Sequence, residues 1–185
     1  MIIIGITGTI GAGKGTVVDY LVNMKGFRHY SARKLISDEV AKLGLPMNRD
    51  SMTAVANQLR KEYGADYIAK ELYKQASIHN EHAIIESLRT IGEIEVLEKE
   101  VGFTLLAVDA PIELRYQRIV SRGSTTDHID FEKFQAEEIR EMSSTDETKQ
   151  NLSACIARAK YVIENSGDLA ELKKQVDTVL GAIIV

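Results

Sequence analysis

The sequence predicts an α/β protein in three layers, a five-stranded parallel sheet between two sets of helices, and three observations carry that expectation. The opening run, Ile2 to Thr7, is β-branched and apolar on both faces, as a strand covered from both sides must be. Short apolar runs recur at Phe27 to Ser31, Ala83 to Ile85, Phe103 to Val108 and Tyr161 to Glu164. Longer stretches with helical spacing separate them, and strands that alternate with helices build a parallel sheet. With 185 residues, 44% apolar content and two prolines, the chain fits one domain over 1–185.

The first strand runs directly into glycines. From Lys14 onward, Val17, Val18, Leu21 and Val22 have helical spacing that stops at Lys25-Gly26, a basic residue and a glycine suited to a helix C-terminus. Between the second and third strands two helical segments, about Asn48 to Tyr63 and Ala65 to Gln75, exceed what one crossover needs. The region about 32–76 therefore reads as an insert that covers a second substrate. After the fourth strand a helix spans Ile112 to Arg122, the run Gly123-Ser124-Thr125-Thr126-Asp127 breaks it, and Asp130 to Glu141 resumes helical character. The stretch about 112–142 reads as a mobile helical lid. Ser143 to Gln150 is polar and turn-rich and reads as a loop.

Composition excludes several function classes. A formal charge of -4 gives no global basic field, and 6% aromatic content without tryptophan offers no stacking platform, so nucleic acid is not an expected partner. Cys155 is alone, which rules out an intrachain disulfide and fits a small buried residue in a reducing compartment. No apolar run reaches the length of a membrane span, and the chain opens without a basic n-region or cleavage site, so a cytoplasmic protein with no membrane partner is expected. Nothing indicates a protein partner. His79 and His82 are three apart but lack a third ligand at a zinc spacing, and neither His29 nor His128 has a visible nucleophile partner.

The strongest motif is Gly8-Thr9-Ile10-Gly11-Ala12-Gly13-Lys14, which has the first part of the Walker A spacing between an apolar strand and a helix. Glycines let successive backbone N–H groups turn inward around phosphate oxygens, the helix N-terminus adds its positive dipole end, and Lys14 supplies a point charge. Gly11, Ala12, Gly13, Lys14, Gly15 and Thr16 are the candidate nucleotide-binding residues, on a P-loop NTPase fold. Gly15 stands where most such loops carry a magnesium-ligating Ser or Thr, and the hydroxyl comes one residue later, at Thr16.

The variant Gly-x-Gly-Lys-Gly-Thr resembles the loop of adenylate kinases, a family in which the metal is held largely through water and nucleotide oxygens. Asp109-Ala110-Pro111 and the following run to Arg122 resemble the strand end and lid helix of nucleoside monophosphate kinases. By that resemblance Arg118 lies against the donor base or phosphates, and Arg122 reaches the phosphates when the lid closes. Arg115, Arg118 and Arg122 also share one helix face by their spacing, and a cationic face beside a phosphate loop can stabilise a transferring phosphoryl group. The run Ala83-Ile84-Ile85-Glu86-Ser87-Leu88-Arg89 resembles the Asp-Gly-x-x-Arg element of the family, with Glu86 where aspartate is usual; Glu86 then orients magnesium-bound water and Arg89 holds the acceptor phosphate. Ser31-Ala32-Arg33 replaces the family's Ser/Thr-x-Gly-Asp pattern, with Ser37 where an arginine is common. The stretch Ala56 to Arg60 with Gly64 resembles an element of small archaeal adenylate-kinase-like proteins, which makes Arg60 an acceptor-phosphate candidate and Arg49 a lesser one. Arg140 sits among carboxylates that favour local salt bridges, and Ala159 to Gly167 resembles the family's Ala-Asp-Tyr-x-Ile-x-Asn element, with Lys160 in place of the acid, whose loop edges the donor base. Similar kinase-like modules also occur fused to deoxycytidylate deaminases.

The resemblance implies transfer of the terminal phosphoryl group of Mg-ATP to a nucleoside or deoxynucleoside monophosphate. The catalytic set is then Lys14, Glu86, Arg89, Arg118 and Arg122, with Ser31, Arg33, Arg60 and Arg89 on the acceptor, ATP and Mg2+ as cofactors, and Thr16 and Glu86 facing the metal, through water. Two alternatives stay open. A hydroxyl kinase such as dephospho-coenzyme A kinase would need a carboxylate to take the acceptor's proton, from Glu86 or Asp38. A regulatory module would bind nucleotide without useful turnover.

Overall fold

The computed structural model describes residues 1–123 and 130–184; the expected helix break at 124–127 and His128 lie outside the described residues. In chain order the elements are β1 (Ile3–Gly8), α1 (Lys14–Lys25), β2 (Arg28–Ser31), α2 (Ala32–Lys42), α3 (Arg49–Tyr63), α4 (Tyr67–His79), β3 (Ala83–Glu86), α5 (Ile91–Leu97), β4 (Phe103–Asp109), α6 (Ile112–Arg122), α7 (Phe131–Met142), α8 (Leu152–Arg158), β5 (Tyr161–Glu164) and α9 (Leu169–Ile183). The strands form one parallel sheet in the order β2-β3-β1-β4-β5.

Side-chain alternation along the strands makes the layers. Ile3, Ile85 and Leu105 point to one face and pack under α2, α3, α4, α5 and α8 with Ile36, Val40, Ile68, Leu72 and Cys155. Ile4, Ile6, Ile84, Leu106 and Val108 point to the other and pack under α1 and α9 with Val17, Leu21, Leu172 and Val176. Because both faces are covered, β1 is buried at every position, which is why its sequence is apolar without alternation.

Three helices, not two, fill the crossover between β2 and β3. The additional one, α2, begins where the Ser31 side chain accepts from the Lys34 backbone N–H, and it buries Ala32, Ile36 and Val40 at four-residue intervals. The turn-rich run after α7 is followed by the short α8, capped by Asn151, which lies against β1 and β4. No described helix is long and apolar enough to cross a membrane.

Candidate functional site

Parallel strands bring their carboxyl ends to one edge, and the register sets what meets there. Ser31 pairs with Glu86, Glu86 with Ile6, and Gly8 with Val108, so the loop after β1, the loop after β3 and Asp109 at the end of β4 share that edge. The loop after β1 needs glycine for space. Gly8 has φ +132, and a Cβ there would lie 2.0 Å from the Val108 carbonyl oxygen; Gly13 has φ +97, and its Cβ would lie 2.2 Å from Asn165 Nδ2. Helix α1 starts at Lys14 with no side-chain cap and no acidic residue in its first turn, which leaves its amino end open to an anion.

Lys14 folds back over this loop, its Nζ donating to the carbonyls of Gly8 at 2.9 Å and Thr9 at 2.8 Å. Burial, with help from the nearby Arg89 charge, lowers its ammonium to about 8. Asn165, just past β5, donates from Nδ2 to the Ala12 carbonyl at 2.8 Å, while its own carbonyl accepts from Arg118 Nη2 at 2.9 Å. One asparagine thus ties the loop to α6 and fixes Arg118 beside it. Arg118 Nη1 is buried without a hydrogen-bond partner, a costly state that an oxyanion would relieve.

A cavity of about 670 Å³ extends from this loop into the helical insert. Of the residues singled out in the sequence, Gly11, Gly13, Lys14, Gly15, Thr16, Arg118 and Arg122 line the loop end, and Arg33, Arg49, Arg60, Glu86 and Arg89 line the helical end. Ala12 does not: it is fully buried beneath the loop and takes part through its carbonyl. Ser31 is also a correction, since its hydroxyl caps α2 and faces a separate surface groove with Lys34 and Tyr67. Arg60 lines the cavity but is no free cation. It is 1% exposed and its Nε and Nη2 both donate to Glu93 Oε1, leaving only Nη1 without a partner. The other oxygen of Glu93 accepts from the backbone N–H groups of Arg89 and Thr90, so Arg60 braces the loop that carries Arg89.

Glu86 has an ionised carboxylate. Burial opposes this, but hydrogen bonds from Ser87 and His29 and the charge of Lys14 lower its pKa. Arg115, though on the same helix face as Arg118, is bound to the Ala110 carbonyl at 2.7 Å and to both oxygens of Glu138, which makes it a brace. Arg140 points away to Asp50 at 3.8 Å.

The sequence marks Asn165 only as part of an element that edges the donor base, and it does not mark Glu141 or Gln150 as site residues. On α7, Glu137 pairs with Arg49, Glu138 with Arg115, and Glu141 with Arg49 Nη2 at 2.8 Å and Arg89 Nη1 at 3.0 Å. Gln150 Oε1 accepts from the same Arg89 nitrogen at 2.7 Å. The acidic run at 137–141 signalled ion pairs, but their partners lie on α3, α6 and the loop after β3, which spacing along one helix does not show.

A family model described as AAA domain matches residues 4–140. A UPF0200 protein of Methanothermobacter thermautotrophicus is 31% identical over 182 residues, covering 97% of this chain and 90% of its own. A UPF0200 protein of Pyrobaculum aerophilum is 29% identical over 180 residues, covering 96% of each. Among solved structures, TT1252 from Thermus thermophilus superposes with a TM-score of 0.63 at 20% identity, over 98% of this chain and 97% of that one. A shikimate kinase from Bacteroides thetaiotaomicron superposes at 0.59 and 11% identity over 100% and 99%, and the dephospho-CoA kinase of Campylobacter jejuni at 0.51 and 17% over 98% and 96%. These likenesses show a P-loop kinase-like fold. With its loop, its sheet order and these relatives together, the chain belongs to the AAA-domain family and to the UPF0200 proteins.

Proposed function

We propose that this chain is an ATP-dependent phosphotransferase that moves the terminal phosphoryl group of Mg-ATP to a nucleoside or deoxynucleoside monophosphate. The observation that carries the reading is one continuous cavity lined both by the phosphate loop and by the guanidinium of Arg89. Among the described residues the Arg89 side chain is anchored through Nη1, which leaves its Nε and Nη2 to grip an oxyanion in a forked pair. The loop end is the donor site, with Leu169 and Leu172 as an apolar wall for the base. The helical end is the acceptor site, where Ile36, Met52 and Ala56 offer an apolar surface beside Arg33 and Arg89.

A phosphate acceptor is already a nucleophile at neutral pH. Positioning and charge stabilisation therefore carry the reaction, with Lys14, Arg118 and Arg122 around the transferring group and Arg89 on the acceptor. Among the described residues no group of three or more His, Cys, Asp or Glu side chains forms a metal cage. Of the cavity's oxygen groups, the Thr16 hydroxyl and the Glu86 carboxylate are the pair we assign to the metal, a sparse set that fits a magnesium ion held mainly by nucleotide oxygens and water. The metal's contribution when bound is neutralisation of phosphate charge.

A second reading has its own observation. The ionised Glu86 lies in the cavity near Lys14 and could take a proton from an acceptor hydroxyl, and a shikimate kinase and a dephospho-CoA kinase share the fold. A coupled ADP-release assay with Mg-ATP separates the cases, using ribo- and deoxyribonucleoside monophosphates, shikimate and dephospho-coenzyme A, with Lys14→Ala as the blank. Stimulation by a monophosphate supports phosphate transfer. Stimulation only by a hydroxyl acceptor replaces it with the second reading, and ATP binding without any stimulation leaves a regulatory module.

A further inference from the structure

The two ends of the cavity differ in how their cations are balanced. Lys14 and Arg118 donate to backbone carbonyls and, among the described residues, to no carboxylate. At the helical end the guanidiniums of Arg33, Arg49, Arg60 and Arg89 are accompanied by the carboxylates of Glu86, Glu93, Glu137 and Glu141. Only Arg33 among these cations makes no hydrogen bond or ion pair with the described residues; Arg60 belongs to Glu93, Arg49 to Glu137 and Glu141, and Arg89 to Glu141. The helical end therefore holds many donors yet little net positive charge.

Glu141 is central to that balance. It is 3% exposed, it touches two of the arginines that line the cavity, and it lines the cavity itself. Burial opposes its ionisation, but the charges of Arg89 and Arg49 hold its pKa low. Each arginine also has a second anchor, Gln150 for Arg89 and Glu137 for Arg49. If the Glu141 charge is removed, both guanidiniums keep a partner, so what changes most is the field inside the cavity.

We propose that Glu141 is a specificity-determining residue that limits the helical end to acceptors carrying the charge of one phosphate group and excludes di- and triphosphates. The inference rests on the reading that this end receives the acceptor. It separates the two nucleotides by charge: the donor site takes the polyphosphate, and the acceptor site, balanced by α7, repels a second one.

The test fills the donor site with a non-hydrolysable ATP analogue, without divalent cation, and then titrates inorganic phosphate and inorganic pyrophosphate by calorimetry. Wild type binds phosphate more tightly than pyrophosphate, and the reverse order overturns the assignment. Glu141→Gln tightens phosphate about tenfold and pyrophosphate about a hundredfold, because the gain scales with ligand charge. Gln150→Glu, which adds a carboxylate to the same Arg89 nitrogen in a similar volume, has the reverse effect and serves if Glu141→Gln does not fold. Unchanged or weaker binding of both probes by Glu141→Gln, with the donor analogue still bound, or by Gln150→Glu an unchanged preference, overturns the assignment and leaves the acceptor site standing. If the donor-filled wild type and both variants bind neither probe, the acceptor site itself is wrong, and this inference falls with it.

Discussion

The loop end of the cavity is built from neighbours in sequence, and the helical end from residues scattered over the chain. Gly8 to Thr16 supplies turn, open amides and Lys14 in one stretch, with Arg118, Arg122, Asn165, Leu169 and Leu172 brought in from elsewhere. Arg33, Arg49, Arg60 and Arg89 come from α2, α3 and the loop after β3, and their counter-charges come from α5 and α7. At the first end Lys14 and Arg118 donate to backbone carbonyls and, among the described residues, hydrogen-bond to no carboxylate; the second spends most of its charge on its own architecture. A site that binds a polyanion needs the former, whereas a site that discriminates among anions needs the latter.

Lys14→Ala breaks the comparison at its strongest point. Calorimetric affinity for ATP should fall about a thousandfold, roughly 4 kcal/mol, with the melting temperature of the empty protein nearly unchanged. Arg60→Ala tests the other end, where the effect is on folding. It leaves Glu93 buried without its partner and should lower stability in urea by about 3 kcal/mol, at the low end for a broken buried pair because two backbone donors still serve Glu93.

The pH response of Lys14 sharpens the contrast further. Its folded pKa, about 8, lies below the ordinary 10.5, so between those values the unfolded chain holds a proton that the empty native protein has released. In that window its contribution to the stability of the empty protein rises with pH, while below pH 8 both forms are protonated and the contribution is flat. Triphosphate affinity has the opposite slope, since the bound anion needs the ammonium. It should be level below about 8 and fall up to tenfold per pH unit above it, with proton uptake on binding at pH 9 seen as a buffer-dependent enthalpy. The smallest effect belongs to Ser31→Ala, which removes a helix cap and should reduce stability by about 1 kcal/mol while turnover stays at the wild-type level.

Much of this molecule is legible in its sequence. Strand β5 and helix α6 lie over the residues that their patterns mark, and the other strands differ from their apolar runs by one residue at one or both ends. The phosphate loop is legible because its geometry is local: φ values that suit glycine, and a helix that starts at Lys14, are properties of adjacent residues. The helical end is less so. Arg60 and Arg33 look alike as arginines on helices, yet one is sealed against Glu93 and the other is open to the cavity, a difference made by the carboxylate that α5 supplies to Arg60. Glu141 and Gln150 reach Arg89 only because α7 and the turn before α8 fold back over the loop after β3. Helix α2 was hidden for another reason, since its capping serine and four-residue spacing coincide with a pattern that resembles a substrate-binding motif.

The most direct test of the central claim is to follow the γ-phosphate of ATP itself, with ATP labelled at that position and incubated with wild type or Lys14→Ala across the monophosphate panel. The account predicts that label appears in a nucleoside diphosphate made from one acceptor, dependent on Lys14 and in step with ADP release. Label found only in inorganic phosphate, or in a hydroxyl acceptor while every monophosphate stays unlabelled, would contradict it.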